Sequence, residues 1–78
     1  MNTIDFKVDS EELRTTDKEL TPVQIMQLAK IDPNTHYLIQ LEGNHQVSYK
    51  DKPNIPIHMH EHQVFITAPT GPTTVSQF

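Results

Sequence analysis

Leu20-Thr21-Pro22-Val23-Gln24-Ile25 is the stretch that organises the reading of this chain. Thr21 carries a side-chain oxygen able to accept a hydrogen bond from the free N–H groups of a first helical turn. Pro22 follows at the first helical position, where its missing N–H costs nothing. Gln24 stands three residues after Thr21 and completes a capping box, while Leu20 and Ile25 occupy the positions of a hydrophobic staple. Beyond the cap, Ile25, Leu28 and Ala29 share a face at three- and four-residue spacing, with Ile31 near the end. Asp32-Pro33-Asn34 closes the element, because a residue before proline is pushed out of the helical region. The pattern predicts an amphipathic helix of about three turns.

Upstream, Ile4, Phe6 and Val8 alternate with Asp5, Lys7 and Asp9. A period of two marks a strand with one face on a core. Asp9-Ser10-Glu11-Glu12 reads as a turn, and Leu13-Arg14-Thr15-Thr16 returns as a weakly apolar edge strand. Downstream, His36-Tyr37-Leu38-Ile39-Gln40-Leu41 is dense in β-favouring residues and ends in the turn Glu42-Gly43-Asn44. Val47 and Tyr49 alternate with polar neighbours in a short fourth strand, broken at Asp51-Lys52-Pro53-Asn54. Ile55-Pro56-Ile57-His58-Met59 is a proline-interrupted connection, and Val64-Phe65-Ile66-Thr67 makes the last strand. From Ala68 onward proline, threonine, glycine and serine dominate, which reads as a flexible tail.

One helix among these strands must cover one face of a mixed sheet, since each element has an apolar side to bury. The expected class is α+β, a β-grasp with four or five strands packed on one helix, the first and last strands lying centrally and parallel. A split βαβ arrangement or a small barrel satisfies the same pattern. Residues 1–68 form the expected domain and residues 69–78 the tail. Ile4, Phe6, Val8, Ile25, Leu28, Leu41 and Ile66 are the expected core. If Leu38 and Gln40 face opposite Ile39 and Leu41, one of these sets lies on the uncovered face, free to meet a partner.

Seventy-eight residues support one small core, since a chain of this size buries only about 60–65% of its unfolded surface. Without cysteine there are no disulfides to assist it. Ten acidic against six basic residues give a net charge of −4, and the lysines are scattered, which argues against nucleic acid as a partner. The first residues lack the basic-then-apolar plan of a signal peptide. No apolar run approaches the roughly 18–20 residues that span a bilayer. The expectation is a soluble cytoplasmic protein without a membrane partner.

His58, His60 and His62 alternate in His-Met-His-Glu-His and would share one face of an extended segment. Imidazoles at that spacing suit zinc, nickel or copper, with Glu61, His36 or His45 as further donors. A structural zinc site needs four converging ligands, so the simpler reading is an exposed polar loop and no metal is expected. Two glycines, Gly43 and Gly71, cannot build a phosphate-cradling loop. Ser10, Ser48 and Ser76 form no catalytic pattern with the histidines and aspartates. No catalytic residue and no cofactor is expected, and the chain is not read as an enzyme.

Taken in order, Phe6-Lys7-Val8-Asp9, the capped segment from Leu20 to Ile25, Leu28-Ala29-Lys30-Ile31-Asp32-Pro33, His36-Tyr37-Leu38 and Val64-Phe65-Ile66-Thr67-Ala68-Pro69 resemble the multiubiquitin family. Its members are bacterial ubiquitin-like domains, often in tandem, encoded beside activating, conjugating and deconjugating-type enzymes of the ubiquitin kind. The resemblance spans residues 4–69 and is most specific at the capped helix. It implies a modifier whose tail is adenylated and passed to a conjugating-enzyme cysteine, in operons some of which are linked to antiphage defence. Two departures stand out: a single unit replaces the tandem array, and the tail lacks a terminal diglycine.

A tail threaded into an activating enzyme must be extended and poor in side-chain bulk, which glycine satisfies best. Gly71, the only glycine of the tail, is therefore the candidate processing and conjugation point. Cleavage there would release residues 72–78, although Pro72 makes the scissile bond a tertiary amide. Retention of Phe78 as the functional terminus, or a plain Gly71-Pro72 turn, are the other readings. Two rival functions accompany the modifier, namely a β-grasp interaction module that is never conjugated and a histidine-based metal-binding protein. The sequence names no target, protein or lipid, and no partner-binding residue.

Overall fold

The computed structural model describes residues 2–71. Its elements in chain order are β1 (Ile4–Val8), β2 (Glu11–Thr15), β3 (Glu19–Leu20), α1 (Pro22–Leu28), β4 (His36–Glu42), β5 (His45–Ser48), β6 (Ile57–His58) and β7 (Gln63–Pro69). Five strands form a mixed sheet in the order β2-β1-β7-β4-β5, with β1 and β7 parallel and central. One helix lies across one face of it. This is the expected α+β β-grasp topology. Val8 pairs with Phe65 in the β1–β7 ladder, and the Phe6 and Phe65 rings meet edge to face with centroids 6.2 Å apart.

Both sheet hairpins close on two residues. Asp9 and Ser10 take φ of 50° and 72°, the paired positive values of a type I′ turn, which match the right-handed twist of β1 and β2. Between β4 and β5, Gly43 at φ 59° holds the first central position of the turn and Asn44 the second, so glycine supplies the left-handed backbone there.

The helix begins as its sequence dictates. The Gln24 N–H donates to Thr21 Oγ1 at 3.1 Å, and the Thr21 N–H donates to Gln24 Oε1 at 2.9 Å. Leu20 and Ile25, the staple positions, are both buried. Its end differs from expectation. The helix spans only seven residues, Pro22–Leu28, because Lys30 enters the left-handed region at φ 63°. The Lys30 N–H then donates to the Gln27 carbonyl and the Ile31 N–H to the Met26 carbonyl, the bond pair of a Schellman stop.

Several expected core positions are corrected. The buried helix residues are Pro22, Ile25 and Met26, followed by Ala29. At about 100° per residue, Leu28 points well away from that face and is 45% exposed. Phe6 and Val8 are buried as expected, while Ile4 is half-buried against the core. Leu41 and Ile66 lie half-buried on the opposite face of the sheet. The core is instead completed by Leu38, Phe65, Ile57 and Met59.

Two elements lie where no regular structure was expected. Glu19–Leu20 and Ile57–His58 pair antiparallel as a small second ladder, extended by the Met59 N–H donating to the Lys18 carbonyl. It seals the core beside the helix with Leu20, Ile57 and Met59. The last strand also runs beyond Thr67. Ala68 and Pro69 pair with Tyr37 and His36, and the Thr70 N–H donates to the Thr35 carbonyl at 2.9 Å. The chain is thus tied to β4 through Thr70, past the expected tail boundary at Ala68.

Candidate partner face and C-terminal exit

The β4–β7 register decides which side chains meet solvent. Gln40 pairs with Phe65 and Leu38 with Thr67, and Leu38, Gln40 and Phe65 are buried beneath the helix. Alternation then sends Tyr37, Ile39 and Leu41 to the uncovered face. They meet Ala68, Ile66 and Val64, their register partners on β7. The result is an apolar stripe along the two neighbouring strands, its members half-buried and Val64 exposed. Gln40 is the reverse case, a polar side chain turned inward. Its Oε1 accepts a hydrogen bond from the Tyr49 hydroxyl at 3.5 Å.

Charge borders the stripe on both sides. Asp5, Lys7, Glu12 and Arg14 line it from β1 and β2, where the Arg14 Nε–H donates to Asp5 Oδ1 at 2.7 Å. That bond raises the Arg14 pKa further above its already high value. At the far end Lys50 Nζ lies 5.5 Å from the centre of the Tyr37 ring, a cation–π distance. Beside Val64, a shallow depression of about 330 Å³ is lined by Asp5, Phe6, Lys7, Glu12, His62 and Val64.

β7 carries the chain from the middle of the sheet to Gly71, which is exposed. A Cβ placed on Gly71 would meet no atom within 4 Å. Gly71 does not take a positive φ either. Packing and backbone geometry within this domain therefore make no demand for glycine there. Residues 72–78, including the expected released segment and Phe78, lie outside the described residues.

The three histidines are not brought together. His58 and His60 flank the buried Met59 and emerge on one side, their ring centroids 4.8 Å apart. His62 breaks the alternation at φ 66°, and its N–H donates to the Asp5 carbonyl at 2.7 Å. Its side chain lies at the uncovered sheet face instead. Glu61 Oε1 is occupied by the Asp5 N–H at 2.9 Å, and His36 Nδ1 lies 2.8 Å from Thr35 Oγ1. Among the described residues, no group of three or more histidines or carboxylates is arranged to hold a metal ion.

Sequence reading did not single out Tyr37, Val64, Ile66 and Ala68 as surface residues. The available signal was the doubly apolar character of β4 and β7, which implies that both faces of the central sheet carry apolar side chains. No helix among the described residues is long and apolar enough to cross a membrane. Comparison with protein-family models, curated proteins and solved structures finds no match to this chain.

Proposed function

We propose that this chain is a ubiquitin-like protein modifier of the multiubiquitin type, acting in the cytoplasm and without enzymatic activity of its own. In this reading an activating-type enzyme adenylates its C-terminal end, a conjugating-type enzyme carries it as a thioester, and a deconjugating-type enzyme trims or removes it. An operon of the kind linked to antiphage defence is the proposed setting. The observation that carries the reading is the exit of β7. A central strand delivers an exposed glycine, Gly71, at a place where the fold itself has no use for one. A narrow enzyme cleft does have such a use.

The apolar stripe supplies the second requirement, a surface by which enzymes hold the domain while its end reacts. The same stripe supports the rival reading, a β-grasp module that docks a partner and is never conjugated. Intact mass measurement after co-expression with the neighbouring activating, conjugating and processing enzymes separates the two. Loss of residues 72–78 followed by a thioester on the partner cysteine supports the modifier with Gly71 as its end. A thioester formed with Phe78 retained keeps the modifier and discards Gly71. Absence of both products with active enzymes favours the docking module.

A further inference from the structure

We propose that His58 and His60 form a two-imidazole chelate for a late first-row divalent cation, copper(II) or nickel(II), with water completing the coordination. The site is independent of conjugation. It begins with spacing: in extended backbone, residues two apart project to the same side, and here Met59 between them is anchored in the core. The two rings lie 4.8 Å apart at their centroids, tilted by 59°. Rings with centroids this close can each turn a nitrogen to about 2.0–2.1 Å from one ion between them.

The backbone beneath the pair is held from both sides. Gln63, itself buried, accepts a hydrogen bond at Oε1 from the His60 N–H at 2.8 Å. The same side chain donates from Nε2 to the His58 carbonyl at 3.0 Å. On the other side the Met59 N–H is tied to the Lys18 carbonyl at 2.8 Å. One amide thus spans the two histidine residues and fixes the separation of their Cα atoms. A backbone held in this way has little freedom left to lose on binding, so the ordering cost falls on the two imidazole side chains alone.

The donor set selects the metal. Two imidazoles with open water positions, no thiolate and no third side chain do not make a structural zinc site. Nitrogen and oxygen donors in a tetragonal arrangement suit copper(II) and nickel(II), and copper(II) stands highest in the affinity order of the series. Glu19, the register partner of His58 across the β3–β6 ladder, places an acidic residue beside the pair and favours a cation. His62, turned away by its left-handed backbone, takes no part.

The test uses copper(II) alone, added below stoichiometric amount to isotopically labelled protein while imidazole resonances are followed by NMR. Paramagnetic broadening should strike His58 and His60 first and leave His36, His45 and His62 sharp at the same loading. Calorimetry should give one site whose affinity falls at least tenfold in His58→Ala and in His60→Ala, and is retained in His62→Ala. Both substituted side chains are exposed, so unchanged circular dichroism establishes that the variants are folded. Uniform broadening of all five histidines, or undiminished affinity in a His58→Ala/His60→Ala double variant, would overturn the proposal.

Discussion

The Asp9 carboxylate accepts two hydrogen bonds from Thr67, one from its backbone N–H at 2.9 Å and one from its hydroxyl at 2.6 Å. The residues are 58 positions apart, and the contact fastens the β1–β2 turn to the central strand β7. Asp9 tolerates its φ of 50° as aspartate does better than most residues. It also donates its own N–H to the Phe65 carbonyl, continuing the parallel ladder past Val8. A turn residue is thereby made part of the sheet's central seam.

Asp9→Ala should destabilise the domain by about 1–2 kcal/mol, the upper part of the range for an exposed charge-assisted pair being reduced by solvent. Thr67→Val should lose less, because its backbone N–H still reaches the carboxylate. Chemical denaturation of both variants and the double variant measures this. Strict additivity of the two effects would show that the hydroxyl–carboxylate bond contributes nothing.

The rotation of the helix face predicts a contrast between neighbours in sequence. Ile25→Ala, at a fully buried site, should cost about 2–5 kcal/mol. Leu28→Ala, at an exposed one, should change stability by about 0.5 kcal/mol or less. Thermal unfolding of the two variants decides between this face and the one that places Leu28 in the core.

Lys30 stands in the left-handed region at the helix stop, a conformation that glycine adopts without steric cost. Lys30→Gly should therefore stabilise the domain, by about 0.5–1 kcal/mol. A lower midpoint of urea denaturation in this variant would contradict the Schellman geometry.

Burial, and secondarily the charge of Glu42, raises the Tyr49 hydroxyl above its ordinary pKa of 10.0. The neutral phenol is the form the fold prefers, so its contribution to stability is fully present below the unfolded pKa. It is lost as pH rises through the higher folded value. Ultraviolet titration of a Tyr37→Phe variant isolates Tyr49, and should give a midpoint above that of a free phenol. A midpoint at or below the free value would count against its half-buried placement.

On the proposed modifier reading, Ile66→Asp or Leu41→Asp should weaken capture by the activating enzyme at least tenfold. Both side chains lie on the uncovered face, so folding should survive. Thioester formation measured alongside circular dichroism checks this. Full thioester yield from a folded double variant would remove the stripe from the enzyme contact.

The start of the helix, the alternation of β1 and the presence of a reversal after Val8 are legible in the residues themselves, although the reversal closes on Asp9-Ser10 alone and β2 starts at Glu11 rather than Leu13. Each depends on atoms within about one turn or one hairpin, such as the reciprocal Thr21–Gln24 bonds, and local chemistry can be read locally. Counting elements with one apolar side each admits the β-grasp alongside a split βαβ unit or a small barrel, and the parallel pairing of β1 with β7 decides among them. Tertiary structure alone decided which face of β4 is inside. By hydrophobicity Ile39 and Leu41 belong in the core and Gln40 outside, but the ladder to β7 places Gln40 beside buried Phe65. A shift of one residue in that register would exchange the two faces completely, and no neighbour within β4 specifies it. The histidines divide for the same reason. Extended spacing unites three of them, whereas the bonds by which the Asp5 N–H donates to Glu61 and the His62 N–H donates to the Asp5 carbonyl hold a bend that leaves two. Contacts between residues more than fifty positions apart made that choice.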